Sequence, residues 1–142
     1  MRSIHAKDFL NEAIEYDRSF SRGVSIALPG ARFLFISGTA SINKKGQTVY
    51  PENFAAQAKR TFQNLTALLR SEGATWSNVV KTTCYLKDME CYGTFNKIRN
   101  ALYKRLRLDP FPASTCVEAN LCRADLLVEI ELIAVLKTKI NE

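Results

Sequence analysis

Residues 126–136 read LLVEIELIAVL, a nearly unbroken apolar run that holds two glutamates two positions apart. Alternation makes the run a β-strand. Val128, Ile130, Leu132, Ala134 and Leu136 share one face, and Glu129, Glu131, Ile133, Val135 and Lys137 share the other. The first set is a core face. The second is of neither kind: a solvated surface does not place Ile133 and Val135 together, and a dry core does not accept two carboxylates. An interface between copies of the chain, enclosing a small polar pocket, accounts for both halves.

Working back along the chain, residues 113–121 form the preceding strand, with Ser114, Cys116, Glu118 and Asn120 as its less apolar set. That set is expected on the same open face. A turn at residues 122–125 would make the two strands a hairpin. Leu121 would pair with Leu126, Glu118 with Glu129, and Cys116 with Glu131. Like charges facing each other across strands raise the pKa of one carboxyl unless a cation intervenes. Such a group can carry protons near neutral pH. The same acids could instead pair with a neighbouring copy's Arg or Lys and hold subunits together.

Upstream, residues 78–87 (NVVKTTCYLK) are rich in β-branched residues and read as a strand. Its open face is either Lys81, Thr83 and Tyr85 or Val80, Thr82, Cys84 and Leu86. Two helical segments flank it. Phe54, Ala58, Phe62, Leu65 and Leu69 follow Asn53 at helical spacing and stop at Gly73; Tyr92, Phe95, Ile98 or Arg99, Leu102 and Leu106 mark a second helix ending before Asp109-Pro110. Residues 20–42 alternate and are split by Leu28-Pro29-Gly30-Ala31, the order a type II turn prefers. The element order is ββαβαββ. It defines an α+β domain with a mainly antiparallel sheet and two helices on one face.

The chain has 142 residues, the length of one domain, and residues 1–19 read as a partly ordered extension. Its 46% apolar and 24% charged residues are the balance of a folded globular protein, not a disordered one. Cys84, Cys91, Cys116 and Cys122 form no CxxC pair, and His5 is the single histidine, which argues against a metal site. Reduced thiols in the cytoplasm are expected, with no cofactor. The net charge of +6 is spread over short clusters (Lys44-Lys45, Lys104-Arg105-Arg107, Lys137-Lys139), better read as solvated surface than as a nucleic-acid footprint. No run is long enough for a membrane span, and the N-terminus lacks the apolar centre of a signal peptide.

FISGTASI, a helix carrying Gln57, Arg60, Asn64 and Leu65, then VVKTTCYLKDM, Phe95-Asn96, FPAST and LVEIELIA resemble, in that order, the RidA (YjgF) superfamily from about Phe20 to Leu136. The resemblance implies a chorismate-mutase-like homotrimer with sheets packed inward and sites in the clefts between subunits. It implies cofactor-free hydrolysis of small reactive imines and enamines to a keto acid and ammonia. By position, Glu129 would orient the water, while Ser37, Gly38, Asn96 and Cys116 would line the cleft. Phe20 stands at a position where the family carries tyrosine. The family's carboxylate-gripping arginine is replaced by Ser114. Arg123 and Arg32 are candidates for a substitute cation. A non-catalytic metabolite binder and a ribonuclease are the alternatives within the family. Phe20-Ser21-Arg22-Gly23, SGTASI and Cys122-Arg123 also resemble the later half of chorismatases, whose additional N-terminal domain does not fit in this length.

Overall fold

A computed structural model describes residues 1–139. Strand β1 is Arg2–Ser3, β2 Gly23–Leu28, β3 Ala31–Ala40, β4 Val79–Leu86, β5 Ala113–Glu118 and β6 Val128–Lys137; helix α1 is Phe54–Ser71 and α2 Tyr92–Arg105. The strands form one sheet in the order β1-β2-β3-β6-β4-β5. The expected ββαβαββ order is present, with β1 added. Val128, Ile130, Leu132 and Ala134 are buried with Leu65, Leu68, Leu69 and Phe95 from the two helices, so both helices cover one face of the sheet.

Local chemistry sets the boundaries. Gly30 takes φ 78°, which the second central position of the Pro29-Gly30 turn requires, and β2 and β3 pair from Leu28↔Ala31 onward. Asn53 Oδ1 accepts the Ala56 N–H at 3.0 Å and caps α1, while Gly73 at φ 70° lets the chain turn away after it. Trp76 donates to Thr66 Oγ1 at 2.8 Å and packs on Phe62, closing the junction between α1 and β4. The N-terminal segment is packed more closely than the sequence led us to expect. Arg2 and Ser3 pair with β2, and Ile4, Leu10 and Ala13 are fully buried.

The pairing of β5 is the main correction. It does not form a hairpin with β6 but runs parallel to β4, with Cys84 opposite Cys116 and Leu86 opposite Glu118. β6 lies instead between β3 and β4, antiparallel to both. Glu118 therefore does not face Glu129, nor Cys116 Glu131. The physical reason is that β6 presents apolar side chains on both faces and is suited to the centre. β5 is exposed along most of its length and sits at the edge. In the parallel register Ser114, Cys116 and Glu118 share the side of Thr82, Cys84 and Leu86, which is the helix side. The open face carries Lys81, Thr83 and Tyr85, then Thr115 and Val117.

Two fully buried side chains of α1 fix the strands that matter below. Gln57 donates to the carbonyls of Tyr50 (3.1 Å) and Asp125 (2.8 Å) and accepts from Leu127 N (2.8 Å), which anchors the approach to β6. Asn64 donates to the carbonyls of Ala40 and Ile42, each at 2.9 Å, at the end of β3. Gln57→Leu leaves the Asp125 carbonyl and the Leu127 N–H without their partner, while the Tyr50 carbonyl keeps the Asn53 N–H, and a loss of about 2–4 kcal/mol is expected. Urea unfolding of the variant and the parent chain measures it.

Candidate functional site

The β3–β6 ladder is interrupted where it matters. Ile36 pairs with Leu132 and Thr39 with Ile130, so Ser37 and Gly38 together stand opposite the single residue Glu131. This is a β-bulge, which re-aims nearby side chains. The bulge is held from both sides: Ser37 N donates to the Arg22 carbonyl at 3.1 Å, Ser37 Oγ donates to the Ser21 carbonyl at 2.6 Å, and Thr39 Oγ1 donates to the Ser37 carbonyl at 2.8 Å. Glu129 lies across it. A β-carbon on Gly38 would overlap Glu129 Oε1 and stand 2.9 Å from its Cδ. The absence of a side chain at Gly38 is what lets the carboxylate lie this close to the backbone; with any larger residue Glu129 would have to swing aside.

The two acids of β6 have different surroundings. Tyr85, opposite Glu129 on β4, reaches diagonally and donates its hydroxyl to Glu131 Oε1 at 3.0 Å. That bond, more than burial or the neighbouring charges, raises the phenol's pKa. Among the described residues no group donates a hydrogen bond to the Glu129 carboxylate, and no cation pairs with it. Burial, and secondarily the charge of Glu131, raise the Glu129 pKa above the usual carboxylate range. Phe33, Ile133 and Val135 around these acids are half-buried, and Phe35 is 43% exposed, an unusual amount for a large ring in mid-strand.

The residues expected at the site fall into two groups. Ser37, Gly38 and Glu129 meet at the bulge, and Phe20 lies beside them through Ser21, its ring 45% exposed under the Arg22 guanidinium. Asn96, Ser114 and Cys116 meet elsewhere, at the β5 edge on the helix side. There Arg99 of α2 donates from Nη1 to Ser114 Oγ (3.1 Å) and from Nη2 to Asn96 Oδ1 (2.5 Å), with its guanidinium 5.2 Å over the Phe95 ring. The Cys116 pKa is raised by burial, with Arg99 opposing, and burial pushes the Cys84 thiol to about 11. Both are neutral thiols near pH 7, unsuited to nucleophilic attack.

Of the two arginines suggested by the sequence, Arg32 is ion-paired, whereas Arg123 has only neutral partners. Arg32 pairs with Glu72 and also donates to its carbonyl at 2.6 Å, while Arg123 donates to the Gly46 carbonyl at 2.6 Å and lies over the Tyr16 ring. Arg123 thus braces the loop at Gly46 next to the Tyr16–Phe20 pair. Sequence reasoning passed over Tyr85 and did not settle Arg99. The signal for Arg99 was present: it follows Phe95 by four positions, which places it on the inward side of α2. A broad groove of about 1120 Å³ runs between α1 and α2 on the other layer, lined by Lys59, Arg60, Arg70, Lys97 and Arg105 among others, and contains none of these residues.

An open sheet face with a bulge-held carboxylate, backed by two helices, defines the class; comparison with known proteins gives the family. The model of the endoribonuclease L-PSP family matches residues 11–136. A RutC family protein of Synechocystis is 38% identical over 113 residues, covering 79% of this chain and 85% of its own length. A 2-iminobutanoate/2-iminopropanoate deaminase of Escherichia coli K12 is 34% identical over 102 residues, covering 72% and 78%. The crystal structure of the E. coli YjgF gene product superposes with a TM-score of 0.77 at 29% identity, covering 95% of this chain and 98% of that one. The chain belongs to the RidA (YjgF) superfamily. No helix among the described residues is long and apolar enough to cross a membrane.

The raised Glu129 pKa has a thermodynamic consequence. Below the ordinary glutamate range, folded and unfolded chains both hold the proton, and substitution changes little. As pH rises the unfolded carboxyl ionises first, and stability falls until the folded one has ionised as well. Glu129→Gln is therefore expected to raise the melting temperature at pH 7–8, by about 2–4 °C for each kcal/mol relieved, and to leave it unchanged near pH 3. Thermal denaturation across pH measures both limits.

Proposed function

We propose that this protein hydrolyses small reactive imines or enamines to a carbonyl compound and ammonia, without a cofactor, and that Glu129 handles the proton. The observation that carries this reading is the half-buried Glu129 carboxylate. It is laid over Gly38, accepts no hydrogen bond within the described chain, and has its pKa moved toward neutrality.

Such a group suits both halves of the reaction. As carboxylate it takes a proton from water while the oxygen adds to the C=N carbon. As carboxylic acid it returns that proton to the nitrogen of the tetrahedral adduct. Ammonia then leaves as the C=O bond forms, and the hydroxyl proton passes back to the regenerated Glu129 carboxylate. Raising a carboxyl's pKa brings it closer to the working pH, which makes it a better proton donor while it can still accept. Glu131 stays tied to Tyr85 and keeps a negative field over the cleft, which favours the cationic, protonated imine. The deaminase relative in E. coli supports the substrate class.

The site is completed by further copies of the chain, as a trimer. On one protomer Glu129 and Gly38 lie on the open face near the sheet's centre, while Asn96, Ser114 and Cys116 lie at its far edge on the helix side. Phe35 and Val117, 43% and 41% exposed, are the apolar surface that such packing would cover. The ribonuclease reading has less support. The chain's single histidine, His5, is held between Ser3 and Glu12 and lines the groove of the helical layer, so no acid–base pair of histidines exists.

Freshly generated 2-aminoacrylate, followed by keto acid release, tests the proposal. The parent chain should exceed the buffer rate, and Glu129→Gln should lower kcat by roughly 100-fold or more. Release no faster than buffer, or full activity in the Gln variant, contradicts it.

A further inference from the structure

We propose that Arg99 is the anion-binding residue of this site, and that it selects substrates bearing a carboxylate. This rests on the imine-hydrolase reading and extends it to the substrate class and the residue that recognises it.

Arg99 is a half-buried cation with no counter-charge: among the described residues the ion pairs join Arg2 and Arg32 to Glu72 and His5 to Glu12. Its frame is neutral throughout, with the Ser114 hydroxyl, the Asn96 amide oxygen and the face of Phe95. A guanidinium has five N–H donors and no acceptor, and the two bonds to Ser114 and Asn96 leave about three donors over. Those bonds also decide what the partners offer. Ser114 Oγ accepts from Arg99, so its own O–H points elsewhere as a donor. Asn96 accepts through Oδ1, so its NH2 remains as donor. The outward surface of the cluster is donors and one positive charge.

A site built only of donors selects a ligand that only accepts. A carboxylate meets that requirement and matches the planar fork of a guanidinium. The Cys84 and Cys116 thiols, both within the influence of Arg99, hold their protons and do not compete as anions. Ser114 is exposed, so the cluster can be reached from outside the protomer. Arg99 also comes from α2 and not from β5, which moves the charge by a side chain's length from a residue carried at position 114. A substrate carboxylate is thus gripped from the helix layer, with Ser114 as the intermediate hydroxyl.

The test uses steady-state kinetics on two imines of similar size, 2-iminopropanoate and the uncharged imine of acetone. Arg99→Ala should raise KM for 2-iminopropanoate roughly tenfold or more with little change in kcat, the mark of lost binding common to ground and transition states. The uncharged imine should respond to neither Arg99→Ala nor Arg99→Lys. Placing Ser114→Arg in the Arg99→Ala background should recover KM for 2-iminopropanoate, whereas a merely structural role for Arg99 would disturb both imines alike. An unchanged KM for 2-iminopropanoate in Arg99→Ala overturns the proposal and leaves imine hydrolysis standing. If the parent chain turns over neither imine, the hydrolase reading fails, and pyruvate binding by calorimetry decides the anion site alone. Arg99→Ala should then weaken pyruvate roughly tenfold, and equal binding by both chains rejects the assignment.

Discussion

Glu129 can lie where it does only because Gly38 has no side chain. The carboxylate passes over the Gly38 backbone closely enough that a β-carbon would collide with it. That approach needs the bulge, and the bulge needs the carbonyls of Ser21 and Arg22 to receive Ser37. The strands on either side are in turn pinned by α1, through Asn64 on the end of β3 and Gln57 on the approach to β6. A single contact between a glycine and a carboxylate thus draws on the helix layer, the hairpin and the central strand together.

Hydrogen bonding, more than position, distinguishes the two acids of β6. Both point to the open face, and both are half-buried. Tyr85 satisfies Glu131 and leaves Glu129 with burial and a like charge as its main influences. Removing a carboxylate from water without supplying donors costs free energy, and the group reduces that cost by holding its proton. The pKa shift therefore follows from what is missing around Glu129. The same strain is a reason to expect chemistry at that position.

Much of this was legible in the sequence. The parity of residues 128–136 gives the two faces of β6, the turn chemistry of Pro29-Gly30 gives the hairpin, and helical spacing gives α1 and α2. What local pattern could not fix was the partner of β5. Residues 113–118 alternate equally well beside β4 or β6, and the choice depends on β6 being apolar on both faces and so claiming the centre. That choice turned Ser114 and Cys116 to the helix side. With Ser114 there, a cation from α2 can reach it. Spacing marks Arg99 as inward-facing, but not as unpaired, because a missing counter-ion is a property of three-dimensional surroundings.

The arrangement within one protomer has two half-sites, a proton-handling group on the open sheet face and a donor cluster at the sheet's edge behind it. Our central claim is that neighbouring copies bring them together. The most direct measurement is complementation. Glu129→Gln and Arg99→Ala chains, each impaired alone at low substrate, are unfolded together, refolded as mixed assemblies and assayed on an imine that carries a carboxylate, at a concentration well below KM. Sharing between copies predicts recovery at about a quarter of the sites, those pairing an intact Glu129 from one chain with an intact Arg99 from the next. Mixed assemblies no more active than the average of the two separate variants would contradict it.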